Sequence, residues 1–229
     1  MIAIGPIDLL IFDLDGTLID SKEDLAQAVN AARRHMGLPA IGNERVYSYV
    51  GNGAPVLMRR AMGADASEED VARALDFFLA YYKEHMLDHT VLYPGVREAL
   101  DRLLATGVRM TVLTNKPVRF SQLLVEGLGL GKHFLRVYGG NSFEQKKPDP
   151  AGVDALLAEF GVERGLALMV GDSDVDTRTA RNAGILCCGV TYGFMPETLG
   201  DPPPDIVVDD LRQLADLVIG ARIEQGGSL

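Results

Sequence analysis

The chain has 229 residues, of which 47% are hydrophobic and 24% charged, and its 22 Lys+Arg against 32 Asp+Glu give a formal charge of −10. This length holds one large domain or two smaller ones with a substantial core, and the composition excludes the disordered, collagen-like and disulfide-rich classes. Nucleic acid and anionic membrane surfaces are not expected as partners, because both attract basic patches and the sequence has no long Lys/Arg cluster.

The first strand is expected at IDLLIF (7–12). No basic leader precedes it, and the apolar stretch meets Asp8 and Asp13 too soon for a signal peptide or a membrane span, so a cytoplasmic location is expected. A stretch of about ninety residues with almost no strand signal follows, far longer than an ordinary crossover, and reads as an inserted helical domain. Helices are predicted at 22–37, 54–63 and 68–88. Ser21-Lys22-Glu23-Asp24 and Ser67-Glu68-Glu69-Asp70 have the capping-box pattern of a serine followed three residues later by an acid. Tyr93-Pro94-Gly95 marks the return to the main domain, which makes 20–92 the helical cap and 1–19 with 93–229 the core.

Beyond the insert, apolar strands at 109–114, 135–139, 166–170, 186–190 and 205–208 alternate mostly with helical patterns at 96–107, 121–130, 151–161 and 177–184. Continuous apolar strands alternating with helices imply an α/β fold, a parallel sheet covered on both faces. The two cysteines, Cys187 and Cys188, are neighbours within a strand and are read as reduced and buried on opposite faces. Residues 224–229 are expected to fray.

Asp13-Leu14-Asp15-Gly16-Thr17 follows the first strand directly, so both carboxylates emerge at its carboxyl end, where parallel α/β sheets place their ligands. At spacing two they can hold a divalent cation or divide the work of nucleophile and general acid/base, although two solvated aspartates at a strand end are also common. Gly171-Asp172-Ser173-Asp174-Val175-Asp176 follows a second strand in the same way. Carboxylates this close repel one another unless a cation compensates, which favours a metal site over a solvated helix cap. Thr114 ends the strand at 109–114 with a hydroxyl donor, and Lys147 precedes Pro148 in KKPDP. As an ordered set on strand ends these residues supply what phosphoryl transfer needs: nucleophile, acid/base, metal ligand, hydroxyl donor and cation.

DLDGT (13–17), Thr114 in LTN, Lys147 in KKPDP and GDSDVD (171–176) follow the order of the four motifs of the haloacid dehalogenase-like superfamily, which the sequence resembles from Ile7 to about Val208. The resemblance implies a Rossmann-like core with a helical cap inserted after the first motif. It makes Asp13 the nucleophile and Asp15 the acid that protonates the leaving alcohol and then activates water. It places Mg2+ on Asp13, Asp172 and the backbone carbonyl of Asp15. Thr114, Asn115 and Lys147 would bind phosphoryl oxygens, with Asp176 supporting Lys147 or metal-bound water. An acid at position 15 favours phosphate esters over organohalides, which need no proton donor for the halide. A sugar-phosphate mutase and a catalytically idle binding module are the alternatives.

Within the insert, Gly51-Asn52-Gly53 leads into a helix with Pro55 in its first turn, a small anion site if the loop presents backbone N–H groups and otherwise a tight turn. VGNG before a helix resembles the cap segment of phosphoglycolate phosphatases, which implies a substrate carboxylate held at Gly51, Asn52 and Gly53 opposite the phosphate. Other small phosphate monoesters and pyrophosphate remain alternatives. His85 and His89, four apart, could share a helix face as zinc ligands, but no ligand pattern surrounds them.

Overall fold

The computed structural model describes residues 5–226. The chain begins with β1 (Leu9–Phe12) and β2 (Ile19–Asp20), then runs through four helices, α1 (Lys22–His35), α2 (Asn43–Tyr47), α3 (Ala54–Met62) and α4 (Glu68–His85). It returns through β3 (Val91–Leu92), α5 (Val96–Ala105), β4 (Arg109–Leu113), α6 (Val118–Gly127) and β5 (Arg136–Tyr138). The remainder is α7 (Ala151–Phe160), β6 (Ala167–Gly171), α8 (Asp174–Ala183), β7 (Leu186–Val190), β8 (Ile206–Val208) and α9 (Leu211–Gly226).

Leu9, Leu10, Ile11 and Phe12 are all fully buried, as a strand covered on both faces requires. β1 lies inside a six-stranded sheet of order β5-β4-β1-β6-β7-β8, in which every pairing is parallel. Side chains alternate across it: Leu10, Phe12 and Cys188 join a core with α5, α6, α9 and the inserted helices, whereas Leu9, Ile11 and Cys187 pack with α7 and α8. Both cysteines are buried and free, on opposite faces as expected. From β1 the sheet grows outward through β4 and β5, then the chain crosses to the other side and continues through β6, β7 and β8. This reversal opens a crevice at the carboxyl ends of β1, β4 and β6, the ligand position of doubly wound sheets.

The insert leaves and rejoins the sheet through one short antiparallel pair, with Ile19 opposite Leu92 and Asp20 opposite Val91. Asp24, buried at the start of α1, accepts hydrogen bonds from the backbone of His89 (3.0 Å) and Thr90 (2.8 Å) and from the Thr90 hydroxyl (2.7 Å), anchoring the returning strand.

Several local readings need correction. Ser67 caps α4 by accepting from Asp70 N at 3.1 Å, but Ser21 forms no side-chain cap and instead donates to Asp15 Oδ1 at 2.5 Å. His85 and His89 have separate partners, Asp88 at 2.7 Å and Asp24 at 2.9 Å, and do not form a ligand pair. α6 and α8 each begin three residues before the expected starts at 121 and 177. α9 carries residues 224–226, part of the expected frayed tail, as helix, and the rest of that tail lies outside the described residues.

Candidate active site

The acidic motifs meet because parallel strands end together. Asp13 N donates to Val170 O at 2.9 Å, which holds the turn after β1 beside the end of β6, and Asp172 follows two residues later. Carboxylate oxygens of Asp13, Asp172 and Asp176 lie within 4.8 Å of one another. Lys147 Nζ, buried among them, is 2.7 Å from Asp176 Oδ1 and 3.0 Å from Asp13 Oδ1. Burial pulls the Lys147 ammonium down, but Asp13 and Asp176 more than offset this and its pKa ends above the ordinary lysine value. Asp176 also accepts from Ser173 N (3.2 Å) and Ser173 Oγ (2.8 Å), closing the capping box of α8. Asp176 thus caps the helix and belongs to the charged cluster at once, but it is fully buried, so the cap is not a solvated one.

Three glycines make room for these charges. Gly16, at φ +83°, faces the Asp172 carboxylate so closely that a Cβ would collide with it. Cβ atoms at Gly171 and Gly193 would collide with Asp176 and Asp172 respectively. Asp172 Oδ2 accepts from Phe194 N at 2.6 Å and Met195 N at 3.2 Å, and its Oδ1 accepts from Thr17 Oγ1 at 3.3 Å. Even so, burial first, then Asp176 and Asp13, push Asp172 up to about 8. Asp13 is pushed up to about 6, by burial first and by Asp176, with Lys147 opposing.

Three carboxylates against one ammonium leave two formal negative charges uncompensated, and Asp13 Oδ1 is a buried oxygen that accepts no well-directed hydrogen bond. An all-oxygen donor set of this kind fits a hard divalent cation such as Mg2+.

Asp15 lies on the other side of the crevice. Its carboxylate receives Ser21 Oγ on Oδ1 and Lys116 Nζ on both oxygens at 3.0 Å, while Lys116 also donates to Tyr82 Oη at 2.8 Å. Burial pulls Lys116 down, but Asp15 and Tyr82 outweigh it and its pKa rises above the ordinary value. Burial pushes the Tyr82 phenol up to about 12. Lys116, Tyr82 and Ser21 escaped the sequence reading. The available signal was a lysine two residues after Thr114, on the same strand end.

Thr114 lines the cavity between insert and core together with Asp13 and Asp15. Its Oγ1 accepts from Lys116 N at 3.3 Å, which leaves the hydroxyl proton for a ligand. Asn115 spends its amide donors on Gly51 O and Lys147 O, both at 3.0 Å, and so ties the glycine loop to the lysine loop. Gly51 and Gly53 line the same cavity, but the loop turns carbonyls toward the core: Gly51 O to Asn115 and Asn52 O to Lys146 Nζ at 2.5 Å. Gly53 has φ +84°, and a Cβ there would sit 3.0 Å from Asn115 O, so glycine permits this approach. The cavity's free volume is about 50 Å3, room for a few water molecules.

The fold and the paired acids at the crevice define the class: a hydrolase built on a Rossmann-like parallel sheet with a helical insertion over its active-site crevice. The chain belongs to the haloacid dehalogenase-like hydrolases, whose family model matches residues 10–190. It is 45% identical to a protein named phosphoglycolate phosphatase from Pseudomonas syringae pv. tomato, over 90% of this chain and 78% of that relative. It is 41% identical to one of the same name from Vibrio parahaemolyticus, over 93% of this chain and 96% of the relative. Among solved structures, one described as a predicted phosphoglycolate phosphatase from Haemophilus somnus superposes with a TM-score of 0.88 at 34% identity, covering 92% of this chain and 97% of that one. Among the described residues no helix is long and apolar enough to cross a membrane.

Proposed function

We propose that the protein is a Mg2+-dependent phosphatase that hydrolyses 2-phosphoglycolate to glycolate and phosphate through an aspartyl-phosphate on Asp13. The observation that carries this reading is the opening of Asp13 and Asp15 into one small cavity whose wall includes Thr114. The relatives' shared name supplies the substrate.

Asp13 attacks phosphorus, and the bond to the leaving oxygen breaks as Asp15 delivers a proton to it. Asp15 then takes a proton from water, whose oxygen attacks the acyl phosphate and regenerates the Asp13 carboxylate. Asp13, Asp172 and the backbone carbonyl of Asp15 would hold Mg2+, which supplies positive charge against the repulsion between nucleophile and phosphoryl group. Lys147, fixed by Asp176, adds a second positive charge on that side, and the Thr114 hydroxyl donates to a phosphoryl oxygen. Asn115 binds the phosphoryl group only if its donors leave Gly51 and Lys147, so its part in this arrangement is to hold the loops.

Residues 20–92 act as a cap that must swing to admit substrate, given the small free volume, and the β2–β3 pair is its hinge. The substrate is a small phosphorylated metabolite, and two buried, unbridged cysteines fit a reducing cytoplasm. The test is phosphate release, with and without Mg2+, from 2-phosphoglycolate, pyrophosphate, sugar phosphates and p-nitrophenyl phosphate. A preference for 2-phosphoglycolate that disappears in Asp13→Asn supports the proposal, and a preference for any other ester overturns its substrate.

A further inference from the structure

Lys116 is a buried ammonium whose presence the phosphoryl chemistry above does not explain. Lys147 already supplies the cation on the Asp13 side, and a general acid/base needs no lysine. The side chain of Lys116 is 4% exposed, and its ammonium is held 3.0 Å from both Asp15 oxygens, 2.8 Å from the Tyr82 hydroxyl and 4.7 Å from the centre of the Tyr82 ring. Core and cap grip it together, since Tyr82 belongs to α4 and Lys116 follows β4. Burying a charge is costly, and a pair made only for stability is readily replaced by apolar packing.

We infer that Lys116, with the Tyr82 hydroxyl, is the specificity site for a carboxylate carried by the substrate's alcohol portion, and that it restricts substrates to short, carboxylated phosphate esters. This rests on the reading of Asp13 as nucleophile and Asp15 as acid, and it assigns the carboxylate to Lys116 in place of the glycine loop. With phosphorus at Asp13 and the ester oxygen at Asp15, the alcohol portion extends away from the phosphoryl group, past Asp15. The next polar group it meets is the Lys116 ammonium, the only cation lining the cavity among the described residues. Much of the wall is apolar, from Leu25, Val50, Leu57, Phe78 and Phe120, with Thr114, Asn115 and the Gly51 and Gly53 backbone as its other polar groups. The several hydroxyls of a sugar outnumber those polar groups, and the ones left against the apolar side chains would lack partners, a penalty hydrogen-bonding sites use to reject wrong substrates. Because Lys116 lies only 3.0 Å from the acid, the anion must sit one or two carbons from the ester oxygen. Gly51 O and Asn52 O, turned to Asn115 and Lys146, are acceptors and do not compete for it.

The experiment compares kcat and KM for 2-phosphoglycolate, its homologues lengthened by one and two methylenes, and ethyl phosphate as the neutral analogue. It uses the wild type, Lys116→Met, Lys116→Gln and Tyr82→Phe. The wild type is expected to favour 2-phosphoglycolate and lose efficiency with each added methylene. In Lys116→Met the preference for 2-phosphoglycolate over ethyl phosphate should fall on the order of 100-fold, mostly through KM, with Lys116→Gln between the two and Tyr82→Phe losing several-fold. An unchanged preference in a folded Lys116 variant overturns the inference while leaving the phosphatase reading intact. If both lysine variants fail to fold, the wild-type series decides: a flat response to chain length overturns the assignment and a stepwise fall supports it. A wild type that prefers another short carboxylated ester removes 2-phosphoglycolate and keeps the role of Lys116. One that prefers a neutral ester removes both.

Discussion

The two walls of the catalytic crevice are each built around a buried lysine, and they differ in charge balance. On the Asp13 wall, Lys147 faces three carboxylates that crowd within 4.8 Å, and two of these are pushed up to about 6 and about 8. On the Asp15 wall, Lys116 faces one carboxylate and a phenol, and the charges cancel. The first wall carries excess negative charge that protons or a cation can relieve, and on the second the charges already balance. In the proposed reading, the first wall takes the metal and the second the substrate carboxylate.

The largest effect expected from this comparison is catalytic. Asp13→Asn should lower kcat by at least about 10^4-fold with Mg2+ present, because a covalent route cannot proceed without its nucleophile, and single-turnover phosphate release would measure it. Stability should then separate the two lysines. Lys147→Met leaves buried carboxylates uncompensated and should cost about 3–5 kcal/mol without Mg2+, whereas Lys116→Met should cost about 1.5–3 kcal/mol, because Asp15 keeps its bond from Ser21. Urea titrations compare them, and equal losses would erase the distinction between the walls.

The third prediction concerns pH. A carboxyl whose folded pKa is raised favours folding while protonated, so that stability is present below its unfolded value of 3.8 and is lost as pH rises through about 6 for Asp13 and about 8 for Asp172. The metal-free protein should therefore weaken across this window, and the rise in Tm on adding Mg2+ should grow from acid to mildly alkaline pH. Thermal scans with and without Mg2+ at several pH values would read it, and a pH-independent rise would argue against these carboxyls as the metal's seat. The smallest effect is on the balanced wall: Tyr82→Phe removes one hydrogen bond to Lys116 and should cost about 1 kcal/mol in the same urea titration.

What the sequence disclosed follows the same division. Asp13 and Asp172 directly follow strands, Asp176 belongs to the same acidic run, Lys147 stands in KKPDP, and apolar runs such as IDLLIF announce strands directly, so the charged wall and the sheet could be read without coordinates. The Asp15 wall depends on tertiary contact. Tyr82 lies among the aromatic residues of α4 with nothing in its spacing to mark it as a lysine's partner. Ser21 matches a capping box, yet it makes no side-chain cap and its hydroxyl donates to the Asp15 carboxylate, a charged acceptor supplied by the turn after β1. The orientation of the Gly51 and Asn52 carbonyls was illegible for the same reason, since peptide direction in a glycine loop depends on which donors the core presents. Two-residue strands such as β2 and β3 leave no periodicity to detect, and α9 carries only a weak one-sided apolar pattern.

The β2–β3 pair has a further consequence, for engineering. Because Ile19 and Leu92 are directly paired, all the helices of the insert hang from two chain crossings a single strand spacing apart. The insert is thus joined to the chain at one place, while its helices share a core with α5, α6 and α9 that any replacement must cover. A two-residue hairpin turn between positions 20 and 91 would close the gap and leave the order of the six-stranded sheet unbroken. The same two crossings would accept a different lid, with the acids at the ends of β1 and β6 left in place.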